Sequence, residues 1–442
     1  METIFSNLTT VFKNTFSDIS TIFKFRKYTN TRKRKIDKHP YPNIFDGASK
    51  NITSKDLFYF TCLNTKSDGS YQKANKDMRN NDYTNVSSSA YKKKRSRKSY
   101  LMFKYMYEKL YKYYVDITTD LKSVKKYKET ALVDGSHYTL YSDLMKDGLK
   151  SYNKGKTTKL TSTTILHQEH LLPICVGENL NNNEVQGFLD QLENLESLYI
   201  FIFDRLFYCE KVLKIIKEKK CDAIFRMKTG KFKITQEFIR TGKDDMVINV
   251  KNNKKVPRGT EGSFKLRLIR YTINDTIYVL GTTLLDKKKY DLECLKEMYR
   301  ERWLVEDHFR VINYELTLKE SRAKTLNTFK QEQYTKLIIT TISKIVEFCA
   351  VKYGGLPLEI NEKINFSNCI DSVINHILPL LLYGSDDMKT INQVIKHTLI
   401  IRAETVINKP DRHFKRRAVR TFNKWYYNGY IKEYHKEKTD FG

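Results

Sequence analysis

The chain has 442 residues, 40% of them hydrophobic and 13% aromatic, which suffices for buried cores in two or three domains and excludes a disordered tail. Lys and Arg number 80 against 51 Asp and Glu, a formal charge of +29, and that excess favours a polyanionic partner, nucleic acid foremost. No run approaches the roughly 18 uninterrupted apolar residues of a membrane helix, and the seven irregularly spaced cysteines, without a CxxC pair, read as reduced and mostly buried thiols of an intracellular protein.

The opening METIFSNLTTVFKNTFSDISTIFKF has apolar residues at 4, 8, 11, 12, 16, 19, 22 and 23, which predicts an amphipathic helix that docks on something. Asn7, Lys13, Asn14 and Asp18 interrupt it too often for a signal peptide or an anchor. The basic run FRKYTNTRKRKIDK and the turn-rich HPYPN follow as a phosphate-contacting or linker segment. Residues 61 to 90 are polar and read as loops. Lys92 to Lys98 form a basic cluster entering an aromatic helix, suited to phosphate contact, to a nuclear address or to a solvated face.

TALVDGSHYTL predicts a short strand delivering Asp134 at its end, with Gly135 permitting a tight turn into another strand. An Asp before Gly is most often a turn former. STTILHQEHLLPICVGE predicts two further strands, and residues 185 to 195 have helical periodicity; His167 and His170, lacking a second ligand pair, read as strand-end residues rather than a metal site. The unalternating run Leu198 to Phe203 predicts a strand buried on both faces. Asp204 then falls where that strand gives way to a helix, a position that suits an N-cap or the chemistry found at strand carboxyl ends. CDAIFRMK supplies the next strand, and residues 229 to 285 form a β-rich insertion in which INDT turns FKLRLIRY into TIYVLGTTLL.

Leu295 to Ala323, LKEMYRERWLVEDHFRVINYELTLKESRA, predicts one helix on which Tyr299, Arg302, Trp303, Glu306, Arg310 and Asn313 share a sector of roughly a third of the circumference. Taken alone, an exposed Arg302 to Glu306 pair is a commonplace worth about 0.3 to 0.5 kcal/mol. The spacing Tyr299, two residues, Arg302, three residues, Glu306 resembles the signature of DDE transposases of the insertion-sequence-four family, whose Glu is the third catalytic carboxylate. Leu316 to Thr341 also resembles that family's continuation. Asp134-Gly135-Ser136 and Asp204-Arg205 are similar to its first and second Asp motifs. The chain departs from the family in having Leu206-Phe207 where Gly-Phe is frequent, Asn313 where a Lys ordinarily closes the pattern, and no Trp between 229 and 285, where Tyr271 or Tyr278 could take its place.

The resemblance implies an α/β protein with a ribonuclease-H-like mixed sheet flanked by helices, a β-rich insertion before the Glu-bearing helix, and mostly helical N- and C-terminal regions. Residues 1–127 would be a basic DNA-end-binding region, 128–325 the catalytic domain, and 326–442 a helical region with a basic tail. It also implies cut-and-paste transposition: Asp134, Asp204 and Glu306 hold two Mg²⁺ or Mn²⁺ ions, while Tyr299, Arg302, Arg310 and Asn313 contact DNA. Double-stranded DNA is the partner, in a synaptic complex of a homodimer, and the protein is intracellular and DNA-associated. Two other readings stay open, a transposase-derived DNA-binding protein without strand transfer and a metal-dependent nuclease. Because the basic surplus acts through counterion release, the log of duplex affinity should fall by about 0.9 per phosphate neutralised for each log unit of salt. Affinity that stays flat between low and moderate salt in a filter-binding titration would contradict this partner assignment.

Overall fold

The computed structural model describes residues 1–22, 52–66, 70–83, 86–97, 100–119, 128–152, 155–193, 195, 198–230, 232–251, 263–355, 358–359, 361–385 and 387–407. The basic run at 25–38, the turn at 39–43 and the tail from 409 lie outside these residues. The chain divides into two compact units, Met1–Leu121 with Val311–Gly442, and Lys122–Arg310. No helix among the described residues is long and apolar enough to cross a membrane. All seven cysteines are free, and Cys62, Cys221, Cys349 and Cys369 are buried.

The first unit begins with helices α1 (Glu2–Ile22), α2 (Ser54–Lys66), α3 (Tyr71–Asn80), α4 (Ser88–Arg97) and α5 (Leu101–Thr119). The periodicity of α1 buries Phe5, Leu8, Phe12 and Ile19, and this face docks on α2 and α5. Arg95 in α4 does not belong to a solvated basic face. It is buried, and its guanidinium donates to Gln331, Asn64, Tyr71, the Thr328 carbonyl and Glu332, the last at 2.7 Å.

The second unit is a nine-stranded sheet with helices on both faces. Its strands β1 (Glu129–Tyr141), β2 (Ser151–Tyr152), β3 (Thr157–His167) and β4 (Pro173–Asn179) precede α6 (Glu184–Leu192). There follow β5 (Tyr199–Phe203), α7 (Glu210–Glu218), β6 (Asp222–Arg226), α8 (Lys233–Arg240), β7 (Asp245–Lys251), β8 (Ser263–Ile273) and β9 (Thr276–Thr282), then α9 (Leu292–Arg300) and α10 (Trp303–Arg310). The order is β2-β3-β1-β5-β6-β9-β8-β7, with β4 sharing the outer edge of β3. β1 runs antiparallel to β3 and parallel to β5, and β5 runs parallel to β6. Alternation along the strands divides the core. Ala131, Val133, Phe201 and Phe203 face Phe188 of α6 and Val212 of α7, whereas Leu132, Ile200 and Ile202 face Leu295 of α9 and Val305 of α10.

Two expectations are corrected, the loops read at 61 to 90, where the end of α2, all of α3 and the start of α4 lie, and the place of Asp134. Asp134 does not end a short strand, because β3 pairs with β1 without interruption from Ala131↔His167 to Tyr141↔Thr157, and Gly135 makes no turn. The β-rich segment after β6 is continuous with the main sheet, because β9 pairs antiparallel with β6. Its β8 to β9 hairpin turns at Asn274 and Asp275, both at positive φ (45° and 58°), as two-residue hairpins require.

The first unit resumes with one π-type turn at Val311–Glu315, α11 (Leu326–Tyr353), β10 (Glu362–Ile364), α12 (Phe366–Ser372), α13 (Leu378–Tyr383), α14 (Met388–Ala403) and β11 (Thr405–Ile407). Thr325 caps α11 through a reciprocal bond with Thr328. This long helix packs on α2, α5 and α14. Its Glu332 joins Arg95 to Ser321. Removing one member of a buried charged network strands the others, so Arg95→Ala should cost about 3 to 5 kcal/mol in a denaturant titration. A midpoint unchanged from wild type would show that the network does not hold this unit together.

Candidate active site

Register alone sets Asp134 beside Asp204. The parallel pairing of β1 with β5 ends at Val133↔Phe203, and the next residue on each strand is an Asp. Neighbouring strands lie about 4.8 Å apart, so the two carboxyls start from adjacent backbone positions. β5 stops there while β1 continues against β3, which leaves an open notch in the sheet next to Asp134. Open sheets place their chemistry at such carboxyl ends. Asp204 is followed by a turn, in which the Arg205 backbone N–H donates to its carboxylate, and α7 starts only at Glu210.

Glu306 comes from the layer of α9 and α10. The single helix expected from Leu295 onward is broken. Arg302 N bonds Tyr299 O at 3.1 Å, Leu304 N bonds Glu301 O at 2.9 Å and Val305 N bonds Arg302 O at 3.2 Å, so bonding tightens from the i−4 to the i−3 carbonyl between α9 and α10. After α10 the ladder widens, with Leu316 N on Val311 O at 2.9 Å. The wheel drawn on an unbroken helix therefore does not apply. Tyr299, Arg302 and Glu306 stay together; Trp303 is exposed, Arg310 pairs with Asp307 at 3.3 Å on the surface, and Asn313 is buried in the π-type turn.

Arg302 holds the site closed on itself. Its Nη1 donates to Asp134 Oδ2 at 3.3 Å and its Nη2 to Glu306 Oε1 at 2.9 Å, and its side chain is only 12% exposed. It also lies 5.5 Å from the Trp303 ring. This is not the exposed i,i+4 pair that spacing alone suggests. Burial opposes the Arg302 charge, but Tyr299, Glu306 and Asp134 outweigh it and hold the guanidinium above its ordinary pKa.

Burial pushes the Asp134 carboxyl up to about 6. The Gly135 N–H, 2.8 Å from Oδ1, and Arg302 work against that rise, whereas the negative charges of Glu184 and Asp204 add to it. Burial likewise lifts the Tyr299 phenol to about 12, with Arg302, Asp204, Arg226 and Tyr271 within electrostatic reach. Next to Tyr299, Tyr271 and Tyr278 stack at 5.5 Å, Arg226 lies 4.8 Å from the Tyr278 ring and Lys296 lies 5.7 Å from that of Tyr271. Arg226 and Glu184 were not singled out by sequence. Arg226 closes a strand whose interior, Ala223 to Phe225, is apolar, which is a faint signal, and Glu184 opens an unremarkable helix, which is none.

Among the described residues, no group of three or more His, Cys, Asp or Glu is spaced as a ready metal cage. The donor chemistry nevertheless fits a hard divalent cation. Asp134 and Glu306 offer carboxylate oxygens to one shared positive charge, which Arg302 now supplies.

The model of a family described as the transposase DDE domain matches residues 125–342, a span that contains Asp134, Asp204 and Glu306. A solved piggyBac transposase, in a synaptic complex with hairpin DNA, is similar at 8% identity with a TM-score of 0.45, over 92% of this chain and 84% of that one. No curated protein matches the chain.

The raised Asp134 pKa bears on stability. A carboxyl whose folded-state pKa, about 6, exceeds its ordinary 3.8 binds its proton more tightly in the folded protein. Its contribution is therefore favourable below about pH 4, fades as pH rises through about 6 and is a net burden near neutrality. At neutral pH and without divalent metal, Asp134→Asn should raise the melting temperature, by roughly 2 to 4 °C for each kcal/mol of burden relieved. A melting temperature at or below wild type would show that burial of this charge is not costly.

Proposed function

We propose that this chain is a DNA transposase that binds element ends and carries out metal-dependent strand cleavage and strand transfer, with Asp134, Asp204 and Glu306 as its catalytic carboxylates. The observation that carries the reading is that the segment matching the transposase DDE domain sets Asp134 next to Asp204 through the β1 to β5 register and joins Asp134 to Glu306 of α10 through Arg302. The arrangement in which β1, β3 and β4 are antiparallel and β1, β5 and β6 are parallel supports a ribonuclease-H-like sheet, with β7 to β9 as the insertion. The Tyr299, Arg302, Glu306 spacing favours the insertion-sequence-four family within this class.

Two Mg²⁺ or Mn²⁺ ions held by these carboxylates would supply activation of the attacking oxygen and stabilisation of the leaving one. Asp134, central among the three, is the residue proposed to serve both ions, with Asp204 and Glu306 completing one each. Arg302 gives up Asp134 and Glu306 when DNA is bound, and turns to the backbone phosphate with Tyr299 beside it. Guanidinium suits that exchange because the same fork of donors fits carboxylate and phosphate. Arg310, exposed one turn beyond Glu306, adds a second phosphate contact, and Asn313 stands in the family's Lys position from a buried site. The stacked Tyr271 and Tyr278, flanked by Arg226 and Lys296, are proposed as the aromatic surface that takes the place of the missing Trp. Residues 1–127 and the basic tail supply end recognition in a homodimeric complex, in an intracellular setting where DNA is present.

Single changes Asp134→Asn, Asp204→Asn and Glu306→Gln should each abolish Mg²⁺-dependent cleavage of end-bearing duplex while leaving gel-shift affinity near wild type, since a neutral amide is a poor ligand for a hard cation. Paired changes should lose little more than single ones, as expected of groups acting as a unit. Retention of cleavage in any single variant contradicts the assignment. Cleavage without joining in the wild-type protein would mark a nuclease, and binding without cleavage a transposase-derived DNA-binding protein. Arg310→Ala should weaken end binding, whereas Asn313→Lys should preserve or improve it; a silent Arg310→Ala would remove Arg310 from the phosphate contacts.

A further inference from the structure

Gly135 has an ordinary strand conformation, so its lack of a side chain needs another explanation, and α6 provides it. A Cβ at Gly135 would stand 2.3 Å from Cδ, 2.5 Å from Cγ and 2.7 Å from Oε1 of Glu184. The Glu184 carboxyl group thus occupies the space above the residue that follows Asp134. It is held there from several sides. His137 Nε2 lies 3.0 Å from Glu184 Oε1, while His137 Nδ1 is 2.8 Å from Thr161 Oγ1, which fixes the ring. Thr163 Oγ1 donates to the Glu184 backbone carbonyl at 3.0 Å. Close approach of α6 to β3 depends on Gly187, where a Cβ would stand 2.5 Å from Thr163 Oγ1.

We propose that Glu184 is a fourth acidic group of the cation site, positioned by His137 and by the open backbone at Gly135. The proposal rests on the reading of Asp134, Asp204 and Glu306 as that site and extends it to a residue outside the Tyr-Arg-Glu and Asp motifs. Charge gives the physical reason. Asp134, Glu184, Asp204 and Glu306 bring four negative charges to one end of the sheet, and Arg302 is bonded to two of them, Asp134 and Glu306. The Glu184 side chain is only 12% exposed, and its ion-pair partner His137 is charged only when protonated. Carboxylates gathered in a partly buried place are costly unless a cation is recruited to their neighbourhood. Proximity to Asp134 is felt electrostatically, since Glu184 helps to raise the Asp134 pKa. An acid in the first turn of α6 also gains from the helix dipole, so stability has to be followed alongside metal binding.

The test is Mn²⁺ binding to the full chain without DNA, followed by the loss of free Mn²⁺ paramagnetic signal. Glu184→Gln should weaken binding by roughly tenfold or more, the range found when groups that support metal ligands are removed. Glu184→Asp should recover most of it, and both variants should melt within about 2 °C of wild type, less than a change of about 1 kcal/mol produces. Gly135→Ala keeps every charge but drives a methyl group into the space of a flexible carboxyl, and should weaken Mn²⁺ binding in the same direction. Wild-type affinity in Glu184→Gln, together with loss of Mn²⁺ in Asp134→Asn, would overturn the role of Glu184 and leave the three-carboxylate site standing. Absence of Mn²⁺ binding by the wild-type protein, or its persistence in Asp134→Asn, would overturn the cation site itself and this inference with it.

Discussion

The point at which β5 leaves β1 determines what the second unit can do. Parallel pairing carries the two strands in step from Glu129↔Tyr199 to Val133↔Phe203, and Asp134 and Asp204 follow at the step where it ends. A slip of one residue would exchange the faces of β5, placing Phe201 and Phe203 against α9 and α10 and Ile200 and Ile202 against α6 and α7. The cores on both faces therefore enforce the register that keeps the two carboxylates adjacent. β1 can continue past the notch because β3 supplies a full antiparallel ladder on its other edge, so Asp134 has a rigid backbone while one side of it stays open.

Electrostatics then make the notch a place for positive charge. Strands and helices from both layers bring acids to it, and burial already keeps Asp134 reluctant to ionise. Arg302 answers part of that need by joining Asp134 to Glu306. Such an arrangement is stable without being complete, since one guanidinium shared between two acids leaves Asp204 and Glu184 to other partners. The same fork of donors fits a phosphate as well as a carboxylate, which is the basis of the DNA contact proposed for Arg302.

Much of this was legible in the sequence, for identifiable reasons. The unalternating apolar run before Asp204, the alternation of FKLRLIRY and the one-faced spacing of α1 each reflect burial, which is a local signal, and the structure has β5, β8 and α1 at those places. Asp134 and Glu306, singled out by motif spacing, are joined in the structure through Arg302. What sequence could not convey is pairing at a distance. Asp134 sits within a long strand because β3 continues beside it, and Gly135 serves the approach of α6 rather than a turn. The helix from Leu295 read as unbroken because its composition contains no Gly or Pro; its break at Glu301 and Arg302 shows only in the shift of backbone hydrogen bonds. Arg95 looked like one of a row of surface bases, and only its distant partners Gln331 and Glu332 show that it is buried.

The central claim is that Asp134, Asp204 and Glu306 form one cation site. Replacing Mg²⁺ with Fe²⁺ and adding peroxide and ascorbate would generate hydroxyl radicals at the bound metal, and the polypeptide would be cut where it lies closest. The account predicts cuts confined to the middle of β1, the start of α6, the turn after β5 and the start of α10, suppressed by excess Mg²⁺. Cuts elsewhere, or a pattern indifferent to Mg²⁺, would contradict it.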